Sequence, residues 1–475
     1  MSGWRIVKIS EVADVIGGGT PSSKRDDYYG GEVPWLTPKD LSGYNGKFIG
    51  RGERNITDEG LRNSSARLLP KDTVLITSRA PIGYVAIASN TLTTNQGFKS
   101  LVLKPGNDPH FFYYLIKSNV PRLEAVSSGS TFKEISGSVL KEVEFKIPDS
   151  DTQKAIVRVL NPFDEKIALN RKLNETLERM ARALFQSWFV DFDPVKAKLA
   201  ALRHGRKPDK ACMAALSGKL RIPPGKPKPD TLDDQLPTAE ALDEAIAALD
   251  SLPEAQQATL AQTAFHFPAN FQESELGLIP EGWSSVALYD TAEFVNGAAF
   301  KSADFTDDEG ALPIIKIAEL KQGISEQTKF TKKGVKERHR ISDGDLLYSW
   351  SGSPGTSLEV FKWFGGEGWL NQHIFKINTT TKEQGVFVWL ILKHLKPELI
   401  RIAENKQTTG LGHVTVADMK RLYVAWPDQA ALNAFGCMAI PIYEEHSSHI
   451  LENNSLAELR DSLLPKLLAG ELPVE

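Results

Sequence analysis

Apolar positions along this chain follow one spacing up to about residue 150, a different one to about residue 190, and then the same succession again. In the first stretch they come in short β-like runs, such as residues 73–77 and 143–147, broken by Gly, Pro and Asn. Short helical stretches intervene, for example residues 109–118, so the pattern predicts an α+β globule. Beyond it the spacing is heptad-like. Ile156, Phe163, Asn170, Leu177 and Leu184 make one row, and Leu160, Ile167, Asn174, Ala181 and Trp188 make another. The start of a helix is expected at Asn161 as N-cap with Pro162 in the first helical position, and Asp164 and Glu165 complement the positive end of the dipole. No Gly or Pro follows until about residue 190, which predicts a helix of roughly 28 residues and about 42 Å. A single apolar stripe of that length needs a partner helix. Residues 441–468 supply one through Ile442, Ile450, Leu456, Leu459, Leu463 and Leu467. Asn170 and Asn174 either sit in the seam, where a buried Asn fixes register, or lie solvated at its edge.

The recurrence is an internal duplication. An offset of 279 residues places Trp4 on Trp283, Gly18 on Gly297 and Pro34 on Pro313. With small gaps, residues 71–76 meet 343–348, Asn95-Gln96 meets Asn371-Gln372, and Phe111 meets Phe387. The offset of 279 returns at Pro148-Asp149 against Pro427-Asp428, and Leu177 and Leu184 meet Leu456 and Leu463. So long a period is no solenoid; it describes two copies of one globule-plus-helix unit.

Residues 196–271 have no counterpart in the repeat. From Lys196 to Lys228 there are ten Lys or Arg and one acid, Asp209; from Asp230 to Asp250 there are seven acids and no Lys or Arg. Prolines at 223, 224, 227, 229 and 237 punctuate the change. The segment is expected to be a linker with a short helix near residues 238–249, its basic half able to meet DNA phosphates or to be neutralised by its acidic half.

Overall charge adds little: the net value of −4 announces no global basic field. Two distant cysteines, Cys212 and Cys437, form neither a disulfide framework nor a clustered zinc site and fit a reducing cytosol. No signal-like or membrane-spanning apolar run is present, so no membrane association and a cytoplasmic location are expected. Catalytic patterns are also missing. His446 and His449 have no supporting ligands, Gly17-Gly18-Gly19 is not followed by the Gly-Lys-Ser/Thr of a phosphate loop, and Asn161-Pro162-Phe163 lacks the second proline of an adenine-methyltransferase motif. No Ser/His/Asp set or two-metal carboxylate cluster stands out, and no catalytic or metal residues are assigned.

Several segments resemble recurring motifs of the specificity subunits of type I restriction–modification enzymes. They include Gly18-Gly19-Thr20-Pro21-Ser22, Ser78-Arg79-Ala80-Pro81-Ile82-Gly83, Asn95-Gln96-Gly97-Phe98-Lys99 and Ser128-Gly129-Ser130-Thr131-Phe132-Lys133-Glu134-Ile135. The run Leu169-Asn170-Arg171-Lys172-Leu173-Asn174-Glu175, then Leu184-Phe185-Gln186-Ser187-Trp188-Phe189, is similar to that family's first helical region. Leu459-Arg460-Asp461-Ser462-Leu463-Leu464-Pro465-Lys466 resembles its C-terminal signature. The resemblance covers nearly the whole chain.

It implies an α+β fold of two pseudo-repeat target-recognition domains joined by two long helices that pair as an antiparallel coiled coil. The expected division is a first recognition domain at 1–150, a helical region at 151–195, a linker at 196–271, a second recognition domain at 272–427 and a second helical region at 428–475. It further implies a non-catalytic subunit that reads a bipartite site on double-stranded DNA. That subunit would dock two methyltransferase subunits carrying S-adenosylmethionine and two restriction/translocase subunits using ATP and Mg. Two other readings of the same residues are a stand-alone DNA-binding regulator and a scaffold presenting two ligand-binding domains.

Readers of base edges are expected among Arg, Lys, Asn, Gln, Ser and Thr on loops, with more Lys and Arg at phosphates. In the first globule the candidates are Thr20, Ser22, Lys24, Arg25, Lys39, Ser78, Arg79, Thr131 and Lys133. In the second they are Lys301, Lys316, Ser349, Ser351, Lys406, Thr408, Thr409 and His413. The second globule has Asn296-Gly297-Ala298-Ala299 where the first has its Gly-rich motif, and Gly352-Ser353-Pro354-Gly355 without the arginine, so the two are expected to read different sequences.

Overall fold

The computed structural model describes residues 3–79, 81–128, 133–406 and 411–474. They divide into two compact units: residues 1–171 with 452–475, and residues 172–451. The division crosses both long helices, so each unit holds one half of each.

In the first unit the strand Arg5–Lys8 pairs antiparallel with Glu144–Ile147 and brings the two ends of the globule together. Between them lies a five-stranded sheet in the order Ala13–Gly17, Lys99–Leu103, Val74–Ser78, Ile82–Ala88 and Phe48–Ile49. A three-stranded sheet places Tyr29–Leu36 between Asn55–Ile56 and Thr93–Thr94. The helix Pro109–Ser118 is capped by Asp108 and presents Phe111, Phe112, Leu115 and Ile116 to a core shared with Val74, Ile76 and Leu101. Ile156 and Leu160 of the first long helix and Leu464 and Leu467 of the second close that core.

The second unit repeats much of this plan, but among the described residues its main sheet has four strands and no counterpart of the edge strand Phe48–Ile49. Arg5 pairs with Ile147 and Ser284 with Trp426, the same register 279 residues on. The parallel pairs Trp35–Thr93 and Leu36–Thr94 recur as Ile314–Trp369 and Ile315–Leu370. Gly18 and Gly297 occupy one position in both copies: a Cβ there would lie 2.1 Å from the Asn95 carbonyl oxygen and 2.2 Å from that of Asn371. Only a residue without a side chain lets these backbones approach so closely.

Both long helices begin well before the expected prolines. The first spans Ser150–Phe185 and the second Gln429–Ala469. Asp149 Oδ1 accepts the Thr152 N–H at 2.9 Å and Asp428 Oδ1 accepts the Ala431 N–H at 2.7 Å, so these repeat-related aspartates are the caps. Pro162 lies inside its helix, against expectation, and so does its counterpart Pro441. An interior proline loses one backbone bond and crowds the preceding turn. Here the turns before it are held by burial of Ala155, Ile156, Val157 and Leu160 in one helix and Ala431, Leu432, Phe435 and Ala439 in the other. Asn161 is no cap; its side chain accepts from the Lys47 ammonium at 2.6 Å.

The two asparagines lie in the seam. In the first unit buried Asn170 donates to Glu452 Oε2 at 2.6 Å and Asn453 Oδ1 at 3.0 Å, while Arg460 meets Asp164 at 2.7 Å. Positions rise along one helix as they fall along the other, so these halves run antiparallel. In the second unit Asn174 donates to the His446 carbonyl at 3.0 Å and lies 2.8 Å from His449 Nδ1.

The segment expected as a linker is a packed helical module of the second unit. It contains the helices Asp193–Arg203, Pro208–Leu216, Ala239–Ala247 and Glu254–Phe265. Val195, Ala197, Ala200, Ala211, Cys212, Leu242, Ala245, Leu260 and Ala264 are buried in one core with Trp188, Phe189, Phe192 and Trp283. Small alanines let these short helices approach closely, and low apolar bulk hid the core from the hydropathy pattern. The helix near 238–249 is present, with the Thr238 hydroxyl accepting the Ala241 N–H. Among the described residues, no helix is long and apolar enough to cross a membrane.

Candidate nucleic-acid interface

In each globule a set of loops meets at one end of the main sheet through the same backbone bonds. The Ile135 N–H donates to the Ser78 carbonyl at 3.0 Å, and the Val414 N–H to the Trp350 carbonyl at 2.9 Å. Arg79 bridges antiparallel to Glu134, and Ser351 to His413. Gly19 donates to Thr94 at 2.9 Å, and Ala298 to Leu370 at 2.8 Å. The platform is therefore one structure built twice.

The side chains on it differ. In the first globule half-exposed Arg79 lies 3.6 Å from the Glu134 carboxylate, and Lys99 lies 3.8 Å from it. The Thr20 hydroxyl bonds the exposed Gln96 side chain. In the second globule Trp350 Nε1 donates to Asn296 Oδ1 at 3.1 Å, and its ring lies 5.6 Å from that of His373. Gln372 and His373 are exposed beside it, with their side-chain nitrogens 3.3 Å apart. Both platforms present the amide of the repeated glutamine, Gln96 or Gln372; the first adds a hydroxyl, a guanidinium, an ammonium and a carboxylate, and the second adds indole, imidazole and a further amide.

Of the sequence candidates, Thr20, Arg79, Ser351 and His413 come together on these platforms. Lys133 is exposed one residue before Glu134. Ser22, Lys24 and Arg25 are exposed on a loop of the first globule and Lys39 on the short helix Pro38–Leu41; Arg25 is paired with Asp27 at 2.6 Å and Lys39 with Glu53 at 2.7 Å. Lys301 is exposed, and Lys316 is half-buried with its ammonium 5.3 Å from the Phe305 ring centre. Lys406 is held by both Asp418 oxygens at 2.6 Å, which serves the cap of the next helix. Thr131, Thr408 and Thr409 lie outside the described residues.

Ser78 and Ser349 are corrected. Both are 0% exposed, and the Ser78 hydroxyl is spent on the Gly97 carbonyl at 3.1 Å. They are strand residues facing inward, where no base edge can reach them. Gln96, Lys99, Glu134, Asn296, Trp350, Gln372 and His373 were not among the candidates. The repeated Asn-Gln pair was the signal for two of them, since it marks one loop position in both copies.

Elsewhere in the first unit an ion network ties the globule to both long helices. Asp164 is approached by Lys47 at 3.4 Å and Arg460 at 2.7 Å and accepts the Tyr114 hydroxyl. Burial pushes the Asp164 carboxyl up, but the Tyr114 and Arg460 hydrogen bonds and the Lys47 charge outweigh it and hold it below the usual carboxylate range. Burial takes the Lys47 ammonium down to about 8 despite Asp164. In the second unit Glu178 of the first long helix and Glu359 of the globule share Lys393 at 3.0 and 3.2 Å.

Two copies of one loop platform with unlike side chains define a duplicated recognition protein. Comparison with known proteins agrees. The type I restriction modification DNA specificity domain matches residues 1–179 and 280–431. The type I restriction enzyme MjaIX specificity subunit of Methanocaldococcus jannaschii is 30% identical, over 99% of this chain and 94% of its own length. The HindI specificity subunit of Haemophilus influenzae is 26% identical, over 99% and 100%. A crystal structure of a type I restriction-modification S subunit from M. genitalium aligns over 98% of this chain and 96% of its own, at 19% identity and a TM-score of 0.44. The chain belongs to the type I restriction–modification specificity subunits.

Proposed function

We propose that each globule reads one half of a split site on double-stranded DNA through its loop platform. The two long helices pair antiparallel as a coiled coil, set the separation of the half-sites and dock the methyltransferase subunits. Two methyltransferase subunits would carry S-adenosylmethionine and methylate adenine, and two restriction/translocase subunits would use ATP and Mg. This chain supplies the address in the cytoplasm and performs no chemistry.

One observation carries this reading. The platform makes the same backbone bonds in both globules, while its side chains, apart from the shared Gln96/Gln372, differ in chemistry. A shared frame with exchanged readers is what recognition of two unlike half-sites requires, because phosphate contacts position and base-edge groups specify. The test is a map of methylated adenines in cells holding this chain and its methyltransferase partner, with and without the gene for this chain. A bipartite motif that disappears with the gene is expected. Exchanging the second globule for that of another specificity subunit should replace only one half of the motif. Loss of the gene without loss of any methylated motif would overturn the reading.

A further inference from the structure

The helical module lies within residues 180–279, between the two stretches matched by the family's specificity domain. Its sequence is strongly polarised in charge, and folding uses that charge unevenly. Four of the ten cations between Lys196 and Lys228 are consumed inside the module. Lys196 donates to the Gly225 carbonyl at 2.7 Å, Lys198 pairs with Asp209 at 2.8 Å, Arg203 pairs with Asp233, and Arg206 pairs with Asp243 at 2.6 Å. No carboxylate of the described residues lies within ion-pair distance of the other six, four of which are Lys219, Arg221, Lys226 and Lys228.

Those four share one strap of non-helical chain, and it is anchored rather than loose. Leu220 is buried and its N–H donates to Ala214 at 3.0 Å. The Gly225 N–H donates to Asp191 Oδ1 at 3.2 Å while its carbonyl holds Lys196. Pro227 is buried, and Pro223 and Pro224 restrict the backbone between the anchors. Cations alternate with these inward residues: Lys219, Arg221 and Lys228 are exposed, and Lys226 is half-buried. Burial without a counter-charge holds the Lys226 ammonium below the usual lysine range. Such a site is improved by any anion that can reach it.

We propose that the strap 219–228 binds the phosphate backbone of duplex DNA, as a second contact independent of base sequence. The inference rests on the reading that this chain binds DNA. A fixed row of unpaired cations suits a polyanion, and an anchored backbone loses little conformational freedom on binding. The contact would add affinity and salt dependence and leave the recognised sequence unchanged.

The test uses the full chain with its methyltransferase partner and a random-sequence DNA duplex. Lys219→Gln, Arg221→Gln, Lys226→Gln and Lys228→Gln are combined. The slope of log affinity against log salt should become shallower by about 2–4, since each phosphate contact contributes about 0.9. The methylated motif should be unchanged. The charge-keeping set Lys219→Arg, Arg221→Lys, Lys226→Arg and Lys228→Arg should retain the wild-type slope. An unaltered slope in the neutral variant overturns the proposal, and so does an equal loss in the charge-keeping one. A neutral variant that binds DNA normally but no longer retains the methyltransferase subunit assigns the strap to a protein and overturns it too. Wild-type complex that binds no duplex in a salt-dependent manner would instead sink the underlying DNA reading.

Discussion

At the scale of single residues, Arg79 is the most informative side chain of the first platform. It is half-exposed and shares Glu134 with Lys99, so its guanidinium is oriented without being spent. Arg79→Ala should cost about 1–3 kcal/mol of discrimination at one base pair of the first half-site and leave the second half-site alone. Binding to duplexes substituted base by base checks this; a uniform loss on all sequences would make Arg79 a phosphate contact. Gly18 tests the frame instead. A Cβ there meets the Asn95 carbonyl at 2.1 Å, with further backbone and side-chain atoms close by, so Gly18→Ala must displace the loop. A loss of about 1–3 kcal/mol is expected, visible as a lower melting temperature together with loss of first half-site reading. Arg79 and Gly18 were singled out in the sequence by their place in the repeat and in the Gly/Pro-rich loops. Ser78 and Ser349 were misread because each closes a strand that is buried on both faces, and a serine beside turn residues carries no signal that distinguishes such a strand end from a loop.

At the scale of elements, the long helices were visible from their heptad rows, yet their starts were placed too late. Pro162 and Pro441 looked like first-turn prolines because that position suits proline best. Burial of the preceding turns decided otherwise. The seam carries its own titration. Burial lowers the His446 imidazole to about 4; Glu178 opposes the shift, and Lys393, Lys362 and His449 add to it. In the unfolded chain this group takes up its proton near pH 6.5, whereas in the folded chain it does so only near pH 4. The unfolded state therefore binds more protons between those values, and stability falls as pH drops through that window. From pH 7 to pH 5 the expected loss is about 2 kcal/mol. His446→Gln should flatten this part of the stability–pH curve. Equal pH dependence of melting in wild type and variant would remove His446 as its source.

At the scale of the whole molecule, the chain passes between its two compact units only within two continuous helices. This suggests a sharper test of the helices as a ruler than a single insertion. One heptad added after Arg171 and one after Leu451 preserves the internal contacts of each unit and keeps both rows in phase. Each helix grows by about 10 Å at ~1.5 Å per residue. The preferred spacer between half-sites should lengthen by about one to three base pairs, with both half-sites unchanged, as read from methylated adenines. An active variant with an unaltered spacer would show that the helices do not set it. The duplication, the α+β character of each globule and the existence of two long amphipathic helices followed from sequence, because periodicity and repetition are properties of the chain itself. The helix starts, the inward or outward facing of each loop residue and the folding of residues 196–271 did not. Those depend on contacts between distant segments, such as Arg79 with Glu134, Asn170 with Glu452, and Lys198 with the Phe267 carbonyl. Only the packed chain brings such groups close enough for burial and hydrogen bonding to outweigh local preference.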